Sequence, residues 1–258
     1  MAVNVLVCVK RVPTTGGRIA LTPDEQDIDT RFSGWTVSPH EECAVEEAVR
    51  LVEAHGGAST VLTLGPPAAE EQLRDALAVG VDEAVLLETD GSEWDPQETA
   101  GAIAGAVRSL EAAAAPFDLL LFGNEAADTG GYQVGIRVAH ALGRPCVAGA
   151  KALELRDGTA VVRREAPGGG WEVLEAPTPA VVTVKEGINL PRYPSVPGRI
   201  RAKKKEVRRL APERTGARLR KRRLVLPPAR EERAEVLGHG PEAAPKVVEV
   251  LRGLGLVP

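Results

Sequence analysis

The sequence predicts an α/β fold: a doubly wound, mostly parallel sheet, then antiparallel hairpins and an extended basic C-terminal arm. Short apolar runs alternate four times with helical patterns over about the first 145 residues, which is the order of a parallel sheet covered on both faces. The 258-residue chain is 43% hydrophobic but only 3% aromatic, so Val, Leu and Ala must build its core.

Each element of the alternating part has its own signal. Residues 3–9 are apolar and β-branched, as in a buried strand. Ser38, Pro39 and Glu41 then occupy the N-cap, first-turn and third positions of a capping box, and the helix ends at Gly56. The remaining strands of this part are predicted at 59–64, 83–87 and 118–122, and the remaining helices at 66–80, 96–113 and 131–142.

The pattern changes after about residue 145. Polar and apolar residues alternate around Asp157-Gly158 and around the glycines at 168–170, which predicts antiparallel hairpins before a last strand at 179–184. Residues 192–223 hold 14 Lys and Arg but 2 Asp and Glu, whereas the rest of the chain has 18 basic and 34 acidic residues. We therefore predict an α/β nucleotide-binding domain at 1–190 and an arm at 191–258, with a short helix at 241–253.

The composition favours a cytoplasmic protein. No apolar run approaches the roughly 20 residues of a membrane span, and no basic region precedes the apolar N-terminal run. Cys8, Cys43 and Cys146 lie far apart without a CxxC pair. This spacing argues against a disulfide framework or a zinc site.

The loop GNEAADTGGYQVG, which follows the strand at 118–122, is the most informative candidate site. Ligands of doubly wound sheets bind beyond the carboxyl ends of the strands, and the loops after 3–9 and 59–64 open there too. Small residues let the backbone approach a ligand, and the free N–H groups of a helix start suit phosphate. The loop is neither GxGxxG nor a P-loop, so an ordinary βα turn remains the alternative.

Motifs for acid–base or hydrolytic catalysis are not visible in the sequence. Among the four histidines, only His40 stands at a helix start on the predicted ligand edge. The chain contains no HxxxH, no GxSxG and no obvious carboxylate cluster. Nothing in the sequence therefore calls for an enzyme that acts alone.

Several long blocks resemble, in the same order, the β subunits of electron-transfer flavoproteins. They are VNVLVCVKRV, SPHEECAVEEAVRLVE, LGPPAAEEQLRDALAVGVDEAVLL, VVRREAPGGGWEVLEAPTPAVVTV and INLPRYPSVPGRIRAKKKEV. The resemblance implies a heterodimer in which the α subunit holds most of one FAD and the β subunit holds a structural AMP. It also implies an electron carrier, without catalysis of its own, between flavin dehydrogenases such as acyl-CoA dehydrogenases and a quinone oxidoreductase. The basic arm would wrap the α subunit.

The resemblance also implies roles for individual residues. Thr15 and His40 would lie near the FAD, and Arg164 and Glu165 would lie at the subunit interface, where Glu165 positions a flavin-side arginine. Ile188 would be the apolar anchor of a partner-docking segment made of Ile188, Asn189, Leu190, Pro191, Arg192 and Tyr193. The AMP contacts would be Cys8, Ser38, Pro39, His40, Glu41, Leu64, Gly65, Asp128, Thr129, Gly130, Gly131, Tyr132, Gln133, Val134, Gly135 and Ile136.

The chain also departs from the family pattern, and alternatives stay open. Ser38 stands where Asn is frequent, His40 where an aromatic residue is frequent, and Leu190 where an acidic residue is frequent. The loop ADTGGYQVG replaces a more acidic form, which favours AMP over the second FAD of electron-bifurcating members. A nucleotide-hydrolysing enzyme would need a Walker lysine or an SGGxDS-like loop. A nucleic-acid binder would need more aromatic residues than the single Tyr193 of the arm.

Overall fold

The computed structural model describes residues 2–14, 19–31, 33–216, 218–228 and 235–258. The strands are β1 (Val3–Cys8), β2 (Val12–Pro13), β3 (Trp35–Thr36), β4 (Gly57–Gly65), β5 (Glu83–Glu88), β6 (Leu119–Gly123), β7 (Cys146–Arg156), β8 (Thr159–Glu165), β9 (Trp171–Pro177), β10 (Ala180–Val184) and β11 (Val207–Leu210). The helices are α1 (Pro39–His55), α2 (Glu70–Val79), α3 (Pro96–Ala113), α4 (Val134–Leu142), α5 (Val196–Lys204) and α6 (Ala244–Gly253), with 3-10 turns at Pro67–Ala69 and Gly240–Ala243.

Within the described residues, nine strands form one sheet in the order β11-β5-β4-β1-β6-β10-β7-β8-β9, and β2 pairs separately with β3. The strands from β11 to β7 are parallel, whereas β7, β8 and β9 form antiparallel hairpins. From β1 the chain winds outward through β4 to β5, and then returns to β6 on the other side of β1. The strand order therefore reverses between β1 and β6, where open α/β sheets bind their ligands.

Helices cover both faces of the sheet, as predicted for a doubly wound fold. Successive side chains of a strand point to opposite faces, and β1 shows this directly. Val5 and Val7 belong to a core cluster shared with α1, α2 and α5, whereas Leu6 and Cys8 belong to a second cluster shared with α3 and α4. The core consists largely of Val, Leu and Ala, as the composition predicts.

The predicted elements up to residue 184 are present, with boundaries that differ by one to three residues at most ends. Asp157 (φ 46°) and Gly158 (φ 76°) form the turn between β7 and β8. The last predicted strand, β10, does not extend the hairpins but returns to the sheet between β6 and β7.

The sequence analysis did not predict α5 or β11, both of which lie in the basic, proline-rich stretch. Ser195 caps α5 by accepting from Gly198 N at 3.1 Å. Arg74 of α2 donates to the carbonyls of Ala202 and Lys205, each at 2.5 Å, which satisfies acceptors at the end of α5. Contacts from α2 and β5, which are distant in sequence, thus stabilise a helix and an edge strand here.

The chain divides into two compact units, one that ends at Arg222 and one that comprises Arg223–Pro258. The first unit contains the sheet, α5 and β11. The second contains α6, which confirms the predicted C-terminal helix. The domain boundary at 190 and the wrapping of a partner by the arm stay predictions. Within the described ranges, no helix is long and apolar enough to cross a membrane.

Candidate functional site

Three of the segments that follow the strands meet at the point where the strand order reverses. They are the residues after β1, the start of α1, and the loop from Gly123 to Gln133 between β6 and α4. Parallel strands bring their carboxyl ends to the same edge, so these segments are neighbours although they are up to 125 residues apart in sequence. Leu64 and Gly65 end β4 next to β1 on the same edge.

Glu41 and Ser38 hold these segments together. Ser38 and Glu41 form the predicted capping box at the start of α1, in which Ser38 N donates to Glu41 Oε2 at 2.9 Å. The other oxygen, Oε1, accepts from Lys10 N at 2.8 Å, and Ser38 Oγ accepts from Ala127 N at 2.9 Å. A Cβ at residue 123 would lie 2.6 Å from Glu41 Cγ, so glycine is required there for this close packing.

Burial shifts the pKa values of two groups in the junction, by which we mean the meeting point of the residues after β1, the start of α1 and the loop after β6. Glu41 is only 6% exposed, and burial raises its pKa to about 8 against the lowering effect of its hydrogen bonds with Ser38 and Lys10. Burial, and to a lesser degree the charge of Glu41, also raises the pKa of the Cys8 thiol. At neutral pH the carboxyl is therefore largely uncharged and does not repel an anion bound nearby.

The start of α4 offers backbone donors to a ligand. Gln133 is its N-cap residue, and its side chain makes no cap hydrogen bond. The first-turn N–H groups of a helix have no acceptor within that helix, and they carry the positive end of its dipole. At α3, by contrast, Asp95 accepts from Gln97 N and Glu98 N. Asp128 precedes α4, and its carboxylate pairs with Lys10 Nζ at 2.7 Å.

His40 connects the same junction to the loops after β6 and β10. Its Nδ1 accepts from Glu186 N at 2.8 Å, so the neutral ring carries its hydrogen on Nε2 and donates to Glu125 Oε1 at 3.2 Å. Glu125 also bonds to the Tyr132 hydroxyl and raises the pKa of that phenol. Tyr132 itself is 53% exposed with a φ of 55°.

An open cleft of about 480 Å³ lies beside Tyr132, between the loop after β6 and the hairpin strands. Both predicted interface residues line it. Arg164 Nε lies 2.6 Å from Glu172 Oε2, and Glu165 Oε2 lies 2.5 Å from Lys185 Nζ. The bond with Lys185 lowers the pKa of Glu165. The cleft wall therefore carries opposite charges that are paired and partly exposed.

Ile188, the predicted anchor of the docking segment (Ile188–Tyr193), is not its most exposed apolar residue. Ile188 is half-buried and packs against the core cluster that contains α1. Leu190 and Tyr193 point outward, with 85% and 96% of their surfaces exposed. Asn189 and Arg192 instead contact α1 through hydrogen bonds.

Most of the residues predicted to contact AMP lie at the carboxyl edge of the parallel strands. Thr15, which was predicted to lie near the FAD, falls outside the described residues. Glu125 and Ala127 lie in the loop that the sequence singled out, but neither they nor Lys10 were predicted as individual site residues. Their long-range hydrogen bonds leave no local pattern in the sequence. Among the residues that the structure describes, no group of three or more His, Cys, Asp or Glu side chains could hold a metal ion.

Comparisons with known proteins agree on one family. Residues 28–215 match the family model described as "Electron transfer flavoprotein domain". The chain is 35% identical to the electron transfer flavoprotein subunit beta of Bacillus subtilis (strain 168), over 96% of this chain and 97% of that protein. It is 34% identical to that of Syntrophomonas wolfei over 98% and 97%, and 37% identical to that of Mycobacterium tuberculosis (strain H37Rv) over 79% and 77%. This chain therefore belongs to the electron transfer flavoprotein family and resembles its β subunits over nearly its whole length.

Proposed function

We propose that this chain is the β subunit of a heterodimeric electron transfer flavoprotein and that it binds AMP where its strand order reverses. The start of α4 supports this proposal most strongly, because its N–H groups face the ligand edge without a side-chain cap. Such a helix start suits a phosphate group. The smaller acidic content of the loop, compared with the more acidic family form, also favours AMP over a second FAD.

Two features of the junction fit an anionic nucleotide. Lys10 neutralises Asp128 beside the helix start, and the raised pKa of Glu41 keeps a buried carboxyl largely uncharged at neutral pH. Neither acidic group then opposes a phosphate. The role that we propose for AMP is structural, because it would bridge loops that already share Ser38 and Glu41.

The flavin in our proposal is shared with an α subunit, which would hold most of it. The cleft that Arg164 and Glu165 line would face that subunit, and the FAD would supply the redox chemistry. Glu165 would position an arginine on the flavin side, and His40 would lie near the flavin. The chain itself would contribute binding and orientation and no catalysis of its own.

Electrons in this proposal come from flavin dehydrogenases, such as acyl-CoA dehydrogenases, and leave toward a quinone oxidoreductase. The docking segment would receive the dehydrogenase. Exposed apolar residues on a proline-containing segment support this assignment, because a stiff segment loses little entropy when it binds.

The proposal is tested by purifying the chain with its co-expressed α subunit and extracting the complex with acid. We expect a stable heterodimer that releases FAD and AMP in equal amounts. Two flavins without AMP would instead support the bifurcating type of subunit. Turnover of added ATP by the complex would support a nucleotide-hydrolysing enzyme, and failure to associate with the α subunit would contradict the proposal itself.

A further inference from the structure

Tyr132 lies at the boundary between the proposed nucleotide site and the open cleft beside it. It immediately precedes Gln133, the N-cap residue of α4, so its backbone belongs to the helix start. Its side chain lines the cleft of about 480 Å³ together with Glu125, which comes from the other end of the same loop. A ligand that extended from the helix start into the cleft would therefore have to pass this side chain.

The conformation of Tyr132 shows that the surrounding structure holds it in this place. Its φ of 55° lies in the left-handed region, which glycine adopts readily and tyrosine rarely. Such conformations persist where neighbouring contacts impose them, and they are frequent at ligand sites. The phenol hydroxyl bonds to the Glu125 carboxylate, and this contact raises the pKa of Tyr132. Glu125 in turn accepts from His40 Nε2 at 3.2 Å.

The elements around Tyr132 are closely packed. A Cβ at residue 135 would lie 3.0 Å from the Thr183 side chain, so the first turn of α4 is in direct contact with β10. The Thr183 hydroxyl also accepts from Gly149 N at 3.0 Å and donates to Asn124 Oδ1 at 2.8 Å, and both of these partners line the cleft. Because these contacts hold the strands and α4 together, space for a larger ligand would have to come from displacement of Tyr132.

Glu125 adds a negative charge at the same place. The His40 ring that contacts it is neutral, because its Nδ1 accepts from Glu186 N at 2.8 Å. Among the residues that the structure describes, no Lys or Arg pairs with Glu125. The cationic groups of the opposite cleft wall already pair with other carboxylates. A second phosphate placed in the cleft would therefore meet a negative charge that no cation offsets.

We propose that Tyr132 and Glu125 restrict the nucleotide site to a nucleoside monophosphate. The Tyr132 ring closes the path from the start of α4 into the cleft, and the Glu125 carboxylate repels a second phosphate. The inference rests on the proposed function and deepens it, because it assigns the choice of AMP over a diphosphate or a dinucleotide to two residues. Binding sites commonly gain specificity from groups that oppose the wrong ligand.

The test measures competition between nucleotides for the purified heterodimer. The complex is incubated with equal concentrations of AMP and ADP, or of AMP and FAD, until the bound ratio is constant. Free nucleotide is then removed, and acid extraction gives the nucleotides and the number of flavins per heterodimer. For the wild type we expect AMP to be bound at least about tenfold more than ADP, and one flavin per heterodimer, which belongs to the α subunit.

Two variants address the ring and the charge separately. Tyr132→Gly removes the ring at a φ that suits glycine, and it should raise the bound FAD-to-AMP ratio at least about tenfold and add a second flavin. Glu125→Gln removes the charge, and it should raise the bound ADP-to-AMP ratio about 2- to 5-fold. Tyr193→Gly is the matched control, because Tyr193 is the other tyrosine of the chain and is 96% exposed in the docking segment. It should change neither ratio.

Each outcome bears on a different part of the inference. An unchanged FAD-to-AMP ratio in Tyr132→Gly overturns the role of the ring. Tyr132→Asn is a second variant for the same purpose, because asparagine also adopts the left-handed conformation. An unchanged ADP-to-AMP ratio in Glu125→Gln overturns the role of the charge. A wild-type complex that binds two flavins and no AMP contradicts the restriction itself, whereas one that binds neither AMP nor a second flavin contradicts the proposed nucleotide site.

Discussion

At the residue scale, the carboxyl group of Glu41 connects the start of α1 with the residues after β1, and its side chain packs against the loop after β6. Glu41 accepts backbone hydrogen bonds from Ser38 and Lys10, packs against Gly123, and is almost fully buried. A group whose pKa is higher in the folded state stabilises the fold fully below its unfolded pKa, and that contribution is lost as pH rises through the folded pKa. For Glu41 this window runs from the ordinary pKa of a glutamate, 4.5, to its folded-state pKa of about 8.

The first prediction concerns the pH dependence of stability. Between pH 5 and 8, the wild-type free energy of unfolding should fall with rising pH, by at most about 1.4 kcal/mol per pH unit from this group. Glu41→Gln should flatten that slope, because a neutral amide replaces the titrating carboxyl. Denaturant titrations at several pH values measure the free energy of unfolding and therefore its slope with pH. Glu83→Gln, at an exposed strand position, is the control, and an unchanged slope in Glu41→Gln would refute the raised pKa.

Glu165 allows a second test at the same scale. Its side chain is 51% exposed and pairs with Lys185, and exposed ion pairs contribute about 0–1 kcal/mol. Glu165→Gln should therefore leave the melting temperature nearly unchanged, while it changes the rate of electron transfer from a dehydrogenase in the heterodimer. Glu154→Gln, which breaks an exposed pair with Arg156, should change neither. An unaltered rate in Glu165→Gln rules out its role at the flavin.

At the scale of elements, local patterns predicted more than long-range contacts could. The capping box of Ser38 and Glu41 and the apolar stripe of α1 are signals within a few residues, and they predicted that helix well. Helix α5 and strand β11 escaped prediction because their support comes from Arg74 and from β5, more than 100 residues away. The features of the candidate site were likewise predictable only where their signal was local. Its glycine-rich loop was visible in the sequence, whereas the attachment of the docking segment to α1 was not.

Asp95 shows how one side chain joins two elements. Its Oδ1 caps α3, and its Oδ2 accepts from Arg218 N at 2.7 Å and Leu219 N at 2.9 Å in the basic stretch. Burial alone would raise its pKa, but these four backbone donors outweigh burial and lower the pKa to about 2. A depressed pKa stabilises the fold above the unfolded value of 3.8, and this contribution is lost as pH falls toward 2.

The third prediction separates the two functions of Asp95. Asp95→Ala should cost about 2–3 kcal/mol, from one lost helix cap and two lost hydrogen bonds. Asp95→Ser should recover about 1 kcal/mol, because serine also caps helices. In both variants the amides of Arg218 and Leu219 should exchange faster with solvent. Equal stability of the Ser and Ala variants would contradict the capping role, and unchanged exchange would contradict the attachment of the basic stretch.

At the scale of the whole chain, much of the basic stretch bonds to the acidic body. Arg192 pairs with Glu46 and Glu53, and Arg209 pairs with Glu70 and Glu88. Lys221 and Arg214 form further pairs on and beside α3. The uneven charge distribution of the sequence is therefore partly neutralised within the first compact unit.

Nucleotide retention by a charge variant at the start of α4 tests the central claim most directly. Gln133 Oε1 accepts from Arg137 Nε at 3.1 Å and Nη2 at 3.0 Å, and a glutamate can accept the same bonds. Its negative charge at a helix start favours the fold but repels a phosphate. Gln97→Glu is the matched control, because Gln97 also contacts Arg137 but lies in the first turn of α3.

We predict that the purified Gln133→Glu heterodimer keeps its melting temperature and its FAD but loses AMP by at least about threefold. Gln97→Glu should keep both nucleotides at the wild-type ratio. If Gln133→Glu retains AMP in full at an unchanged melting temperature, the start of α4 does not hold a nucleotide phosphate, and the account of this site is wrong.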